Sequence, residues 1–328
     1  MIKKFIDICA AEQIFAGVRK ILIAVSGGAD SIALAELLIN ARQRFNLELA
    51  VAHFEHGLRG QASLDDAAFV KNFAEERGLE FIGGNGNVPT YASENKLSVE
   101  TAARTLRYEF LAKARRDLNC DATALAHHAD DQAETVLMRL LRGATSNGLA
   151  AMKFRTRSDD YGLLIRPLLR FRKADLENFC RQRNLSPRTD ATNFDADATR
   201  NKIRLELIPT LETFNPALVE TLCRLAEVTA DESDFIAAQA DKIFPAVVKN
   251  DAIIRAEFLK LHPALQRAVI KKFLAKVAGS AKDFGFVHFE GVRKVLINGL
   301  TGVELTKGLR ADLKRGILSV TKNFLRKG

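Results

Sequence analysis

The sequence predicts an α/β fold: a parallel sheet covered on both faces in the first two thirds, then a smaller, mainly helical part ending in a β hairpin or meander. Three observations carry this. Short apolar runs alternate with amphipathic stretches from residue 21 to about 184, a glycine turn joins the first run to the first long helix, and the alternation stops near Pro209 and Pro216.

The first run, ILIAV at 21–25, has no polar residue to turn toward water, which fits a strand buried on both faces. A helical stretch at 31–45, a strand LAVAHF at 49–54, a helix around 63–78 and a strand LEFIGG at 79–84 complete a βαβαβ order. An amphipathic helix from Ser98 to Asn119 leads to the strand ATALAH at 122–127. The next helix, DDQAETVLMRLLRG at 130–143, places Gly143 where a left-handed C-terminal cap belongs. A strand LLIRPLL at 163–169 and a helix at 172–184 follow. In such sheets ligands gather at the carboxyl ends of the strands.

Beyond about residue 205 the pattern becomes helical, over 217–243 and again near 264–278. The stretch 303–320 has short alternating runs with Gly302, Gly308 and Gly316 at turns. The expected domains are therefore 1–212, holding the chemistry, and 213–328, mainly helical and basic.

Composition narrows the class. The 328 residues are 47% hydrophobic and 27% charged, as in a globular protein. No apolar run reaches membrane-spanning length, and Asp7 and Glu12 interrupt the start, so neither a membrane partner nor a secretory signal is expected; the expected compartment is the cytoplasm. Cys9, Cys120, Cys180 and Cys223 lie far apart with no CxxC or Cys/His spacing, which leaves a local zinc or redox motif unsupported. Net charge is +9, and it is uneven: residues 251–328 hold 16 Lys/Arg against 6 Asp/Glu, whereas the first 250 hold 33 against 34. Clustered cations of this kind suit a polyanion, above all a nucleic acid, although a solvated basic face has the same composition.

The most informative segment is Ser26-Gly27-Gly28-Ala29-Asp30-Ser31, directly after the first strand and opening a helix. Adjacent glycines let the backbone approach phosphate oxygens, free N–H groups and the helix dipole favour anions, and two hydroxyls add donors. Asp30 would repel phosphate unless a cation intervened, which points to Mg²⁺. The segment is neither a Walker A loop nor a GxGxxG fingerprint. It resembles the PP-loop of the N-type ATP pyrophosphatases, which implies a Rossmann-like sheet and cleavage of ATP between the α and β phosphates.

Further segments narrow the resemblance. His53-Phe54-Glu55-His56-Gly57-Leu58-Arg59 is similar to the HxxHGLR element of the tRNA(Ile)-lysidine synthetases, with Glu55 where the family usually has Asn. Glu100 to Tyr108 resembles that family's ExxARxxRY helix, and Ala126 to Thr135 its AHHxxDQxET segment. Ile165-Arg166-Pro167-Leu168, and Asp190 to Asn193 with Arg200 to Arg204, resemble RPLL and DxTN…RNxIR. Five motifs in the family's order span residues 21 to 208.

The resemblance implies ATP-dependent transfer of free L-lysine to C2 of the wobble cytidine of the CAU-anticodon isoleucine tRNA, through an adenylated base. Ser26, Gly27, Gly28, Ala29, Asp30 and Ser31, with Ala52 and His53, would bind ATP, and Asp30 and Asp131 would hold Mg²⁺. Arg104 and Arg200 would clamp phosphate or activated base, and His127 would contact the α-phosphate. The group that deprotonates lysine stays open between Asp131, Glu134 and others. Arg293, Lys294, Lys307, Arg310, Lys314 and Arg315 are expected to contact RNA phosphates. Longer family members carry a further C-terminal domain, so at 328 residues acceptor-stem contacts are expected of this compact tail. A homodimer is compatible with the resemblance. The alternatives are a PP-loop tRNA thiolase, which needs paired cysteines, an amide-forming synthetase acting on a small metabolite, and an RNA-binding module with a vestigial nucleotide site.

Overall fold

The computed structural model describes residues 1–57, 61–188, 198–280 and 283–322. The chain forms two compact units: residues 1–144 with 148–227, and residues 145–147 with 228–328. In the first unit, α1 (Ile2–Ala11) precedes β1 (Lys20–Ala24), α2 (Ala29–Phe45), β2 (Glu48–Glu55), α3 (Gln61–Glu75) and β3 (Glu80–Asn85). Then come α4 (Val88–Asn95), α5 (Val99–Asp117), β4 (Ala122–Ala124), α6 (Ala129–Leu141), α7 (Ser146–Leu149, whose first two residues are assigned to the second unit), β5 (Arg155–Ser158), β6 (Gly162–Ile165) and α8 (Lys173–Gln182).

The sheet order is β3-β2-β1-β4-β6-β5, parallel throughout except for the β5–β6 pair. The chain runs outward from β1 through β2 and β3, then restarts on the other side of β1 with β4. That reversal opens a crevice at the carboxyl ends of β1 and β4, where open α/β sheets take ligands. Ile21, Leu22 and Ile23 of β1 are fully buried, as the uninterrupted apolar run requires of a central strand with both faces covered. Helix ends follow local chemistry: Ser98 accepts from Thr101 N at 3.2 Å to start α5, and Gly143, at φ +72°, closes α6 as expected. All four cysteines are buried.

After α8, α9 (Ala198–Lys202), a π-helical turn (Ile203–Leu207) and α10 (Ile208–Glu212) run end to end, and a turn at 213–217 leads to α11 (Leu218–Val247). The unit boundary falls inside α11, later than the expected break at 212/213. Val219, Leu222, Cys223 and Ala226 of its first turns are buried in one cluster with Ala129, Ala133, Val136 and Leu137 of α6. Apolar burial therefore assigns the start of α11 to the first unit.

The second unit contains β7 (Val248–Lys249), β8 (Ala252–Ile254), α12 (Arg255–Phe258), α13 (Pro263–Ala278), α14 (Phe286–Asn298), β9 (Gly302–Glu304), β10 (Leu309–Lys314) and β11 (Ile317–Lys322). Its sheet is antiparallel, in the order β7-β8-β11-β10-β9. The expected meander is β9-β10-β11; the β7-β8 hairpin that extends it was not foreseen. Arg315 and Gly316 link β10 to β11 with φ +49° and +78°, the two-residue turn whose twist matches its strands. Phe273, Ile270 and Leu274 of α13 and Val295 and Leu296 of α14 bury against Ile253, Ala311 and Leu318 of the sheet.

Candidate active site

The loop after β1 is organised before any ligand arrives. Ser31 Oγ donates to Gly28 O at 2.9 Å and accepts from Ser26 N at 3.1 Å; the two serine hydroxyls lie 3.1 Å apart. Gly27, at φ +96°, makes the turn, and its carbonyl accepts from Arg188 N at 3.0 Å. From the neighbouring strand, His53 Nδ1 donates to Val25 O at 2.8 Å. His53 is buried and its pKa is lowered, burial outweighing that hydrogen bond. With buried Ala52, it therefore forms the wall beside the loop.

On the other side of the crevice, β4 runs into His127 and His128. Asp30 at the start of α2 and Asp131 at the start of α6 both turn toward Nε2 of His128, with Oδ2 atoms 3.6 and 3.4 Å away. Burial alone would push the His128 pKa down, but Asp130, Asp30 and Asp131 outweigh it and raise it to about 10. A protonated imidazole thus sits between the two carboxylates. Asp131 also accepts from His128 N at 3.1 Å, which fixes it at the first turn of α6. Asp130 meets the other ring edge, its Oδ2 3.4 Å from Nδ1 of His128, and it also accepts from Lys173 N at 2.8 Å and Arg172 Nε at 3.0 Å.

The donor set fits a hard cation. Oδ1 of Asp30 is buried and accepts no hydrogen bond, and the dyad offers carboxylate oxygens only. Among the described residues no three His, Cys, Asp or Glu side chains form a complete metal cage. An ion held by Asp30 and Asp131 would draw its remaining ligands from phosphate and water, as Mg²⁺ commonly does.

Arg200 is near the acidic pair but occupied. Its Nε meets Oε2 of Glu134 at 2.6 Å and its NH2 meets Oδ1 of Asp131 at 3.2 Å. Arg204, one turn on, holds Oε1 of the same glutamate at 2.5 Å. Both oxygens of the fully buried Glu134 are therefore engaged by guanidiniums. Glu134 anchors the arginines and is not placed to collect a proton, which leaves Asp131 as the better of the two expected bases.

His127 is buried within the field of four arginines. Burial first, then the charges of Arg166, Arg107, Arg104 and Arg200, hold its pKa well below 6.5, so the ring is neutral at pH 7. Its Nδ1 is buried without a partner. A neutral imidazole backed by arginines is suited to meeting an anion at its free edge.

The structure thus brings together Ser26, Gly27, Gly28, Ala29, Asp30, Ser31, Ala52 and His53 around the β1 end, and Asp131, His127, Arg104 and Arg200 around the β4 end. His128, Arg107 and Arg166, which the sequence placed within the quoted motifs but without a role, join them. Leu58, Arg59 and Asp190 to Asn193 lie outside the described residues. Glu55 accepts from Gly57 N at 2.6 Å, closing the turn after β2. In the second unit, Arg293 meets Glu290, Lys307 meets Asp283, and Arg310 meets Glu304 and Asp312. Half of the basic residues expected to face RNA are already paired.

A glycine-cornered anion loop at the switch point of a parallel sheet, with an acidic dyad across from it, defines a PP-loop protein, and residues 2–211 match the PP-loop domain family. Among curated proteins, the chain is 35% identical over 317 residues to a tRNA(Ile)-lysidine synthase of Clostridium perfringens, covering 95% of this chain and 66% of that protein. It is 34% identical to the synthase of Geobacillus kaustophilus, covering 94% and 68%, and 34% identical to that of Clostridium tetani, covering 88% and 61%. The chain belongs to the tRNA(Ile)-lysidine synthase family. It spans about two thirds of the length of these relatives. Among solved structures, a U34-tRNA thiolase from Methanococcus maripaludis shares the fold, with TM-score 0.59 and 19% identity over 70% of this chain and 78% of that one.

Proposed function

We propose that the protein is an ATP-dependent ligase that joins free L-lysine to C2 of the wobble cytidine in the CAU-anticodon isoleucine tRNA, releasing AMP and pyrophosphate. The observation that carries this reading is the meeting, at one sheet crevice, of the glycine loop, the Asp30–Asp131 pair and the arginine-backed His127, in a chain of this family. Cytosine O2 is a poor leaving group and needs activation. In the first step O2 attacks the α-phosphorus and pyrophosphate departs; in the second, lysine's side-chain amine attacks C2 and the C2–O2 bond breaks, AMP leaving with that oxygen.

Backbone N–H groups at Gly27 and Gly28, with the Ser26 and Ser31 hydroxyls, would receive the pyrophosphate oxygens. Asp30 and Asp131 would hold Mg²⁺, which when bound neutralises phosphate charge. Neutral His127 would donate a hydrogen bond at the α-phosphate, with Arg104 supplying charge. Arg200 would stay paired with Glu134 or shift to the adenylated base. The attacking amine must shed a proton despite an ordinary pKa of about 10; of the two candidate carboxylates, Glu134 is closed off by both arginines, which leaves Asp131. The four buried, widely separated thiols speak against the thiolase alternative. No helix of the described residues is long and apolar enough to cross a membrane, in keeping with a tRNA substrate.

The test is direct. The protein, ATP and labelled lysine are incubated with transcripts of the isoleucine and methionine CAU tRNAs. Label is expected in the first and not the second, with one pyrophosphate released per lysine attached. Label in neither, with the transcripts correctly folded, would remove the reading.

A further inference from the structure

Beside Arg104 lies a concavity whose other lining residues the proposed chemistry does not use. A cleft of about 280 Å³ opens between α5 and the β5–β6 hairpin, lined in part by Arg104, Tyr108, Ser158, Tyr161 and Arg166. The volume is near the lower end of small-ligand sites, roughly 300 Å³ and up.

Its charge is unbalanced. Arg166 is only 7% exposed; its NH1 donates to Lys153 O and Thr156 Oγ1, each at 3.0 Å, while its Nε is buried without a partner. Arg107, next to the cleft, also has a buried Nε with no partner. Arg104 donates to the Tyr108 hydroxyl at 3.4 Å, with its guanidinium 4.9 Å from that ring's centroid. Among the described residues none of these three arginines forms an ion pair with a carboxylate. Arg104 is exposed, but the Nε groups of Arg107 and Arg166 are shut off from water with no counter-charge, which is costly unless an anion completes them.

The other wall is aromatic. Tyr161 packs on Tyr108 with ring centroids 5.2 Å apart, and burial, then the charges of Asp160 and Glu109, raise its pKa. A wall of arginines facing a tyrosine pair is how proteins hold one unstacked nucleotide: oxyanion on the guanidiniums, base on the ring. An amino acid has the anion but no π face to offer, and ATP is accounted for at the β1 loop.

We propose that this cleft receives a nucleotide adjoining the reacting base in a single-stranded RNA loop, its phosphodiester at Arg166, beside the Arg104 that serves the α-phosphate, and its base against Tyr161. The inference rests on the RNA-modifying reading above and assigns Tyr161 and Ser158 to substrate docking. The cleft makes the reacting base's neighbour part of recognition.

The chain contains no tryptophan, so Tyr161→Trp installs a single indole reporter in the full-length protein. Titration with an isoleucine CAU anticodon stem–loop is expected to quench it, whereas ATP or lysine alone should not. Quenching by lysine, or none while fluorescence anisotropy of a labelled stem–loop reports binding, overturns the assignment. In turnover, Tyr161→Ala is expected to raise the KM for tRNA about tenfold, within the range of base–aromatic stacking. The KM values for ATP and lysine should hold, and Tyr161→Phe should restore the tRNA value. A variant that loses all three KM values together would be a folding lesion and would count against docking, as would an unchanged tRNA KM. If the wild-type protein never labels tRNA, the parent reading has failed, a result distinct from any Tyr161 effect.

Discussion

A methyl group at Gly27 would meet Phe69 and Val70 at 3.6 Å, ordinary contact, so space is not what reserves the position for glycine. The backbone is: φ +96° strains any L side chain by about 1–3 kcal/mol. Gly27→Ala is expected to lower stability by that amount in urea unfolding and to weaken ATP binding in calorimetry. Asp30→Ala should abolish pyrophosphate release while leaving tRNA binding in a filter assay largely intact. The histidines give a pH signature. His53 and His127 have folded pKa values below the 6.5 of the free side chain, so below that value the unfolded chain binds protons that the folded chain refuses. Stability they contribute is full above pH 6.5 and falls as pH drops toward the folded values. The urea midpoint should therefore decline between pH 7 and pH 5, and decline less in His53→Gln and His127→Gln. At this scale the sequence named most of the site, because loop and motif residues sit at strand ends. It put weight on His127 over His128, because the meeting of Asp30 and Asp131 at one imidazole depends on β1 and β4 being neighbours.

At the scale of elements, Glu134 ties α6 to the α9–π-helical segment through Arg200 and Arg204. Replacing it with alanine leaves two guanidiniums facing each other. We expect a loss of about 2–4 kcal/mol, somewhat under the value for fully buried pairs, because both arginines keep some contact with water. Hydrogen exchange over residues 198–212 should rise with it, whereas Glu134→Asp should recover part of the protection. The parallel strands were legible because central strands are continuous apolar runs. β5 was not: Arg-Thr-Arg-Ser carries no alternation, and only its pairing with β6 makes it a strand. β7 and β8 are too short to show a period.

For the whole molecule, the basic excess read as one RNA-facing surface is thinned by internal pairing, which a residue count cannot see because pairing is a matter of tertiary neighbours. Lys314 and Arg315, at the β10–β11 turn, have no acidic partner among the described residues. Reversing both to Glu should weaken tRNA binding and flatten its dependence on log[salt] by about one to two units, at roughly 0.7–0.9 per lost phosphate contact. Reversing the paired Lys307 should change the slope less. An equal change in both would show that the ion pairs open on binding. The division inside α11 was read early, at 212/213, because prolines mark a local break, while burial against α6 decides which unit a helix turn belongs to.

All four thiols lie in the first unit, and burial pushes Cys9 and Cys223 up to about 12 and Cys120 and Cys180 up to about 11. Native protein at pH 8 should therefore be almost inert to alkylating reagents, and each carbamidomethyl group gained over time marks an excursion in which that half of the chain has opened. Mass spectrometry would read those events site by site, from α1 to the first turns of α11, while the cysteine-free C-terminal unit stays silent. The molecule carries its own stopwatch for one half of itself, and a bound nucleotide should slow it.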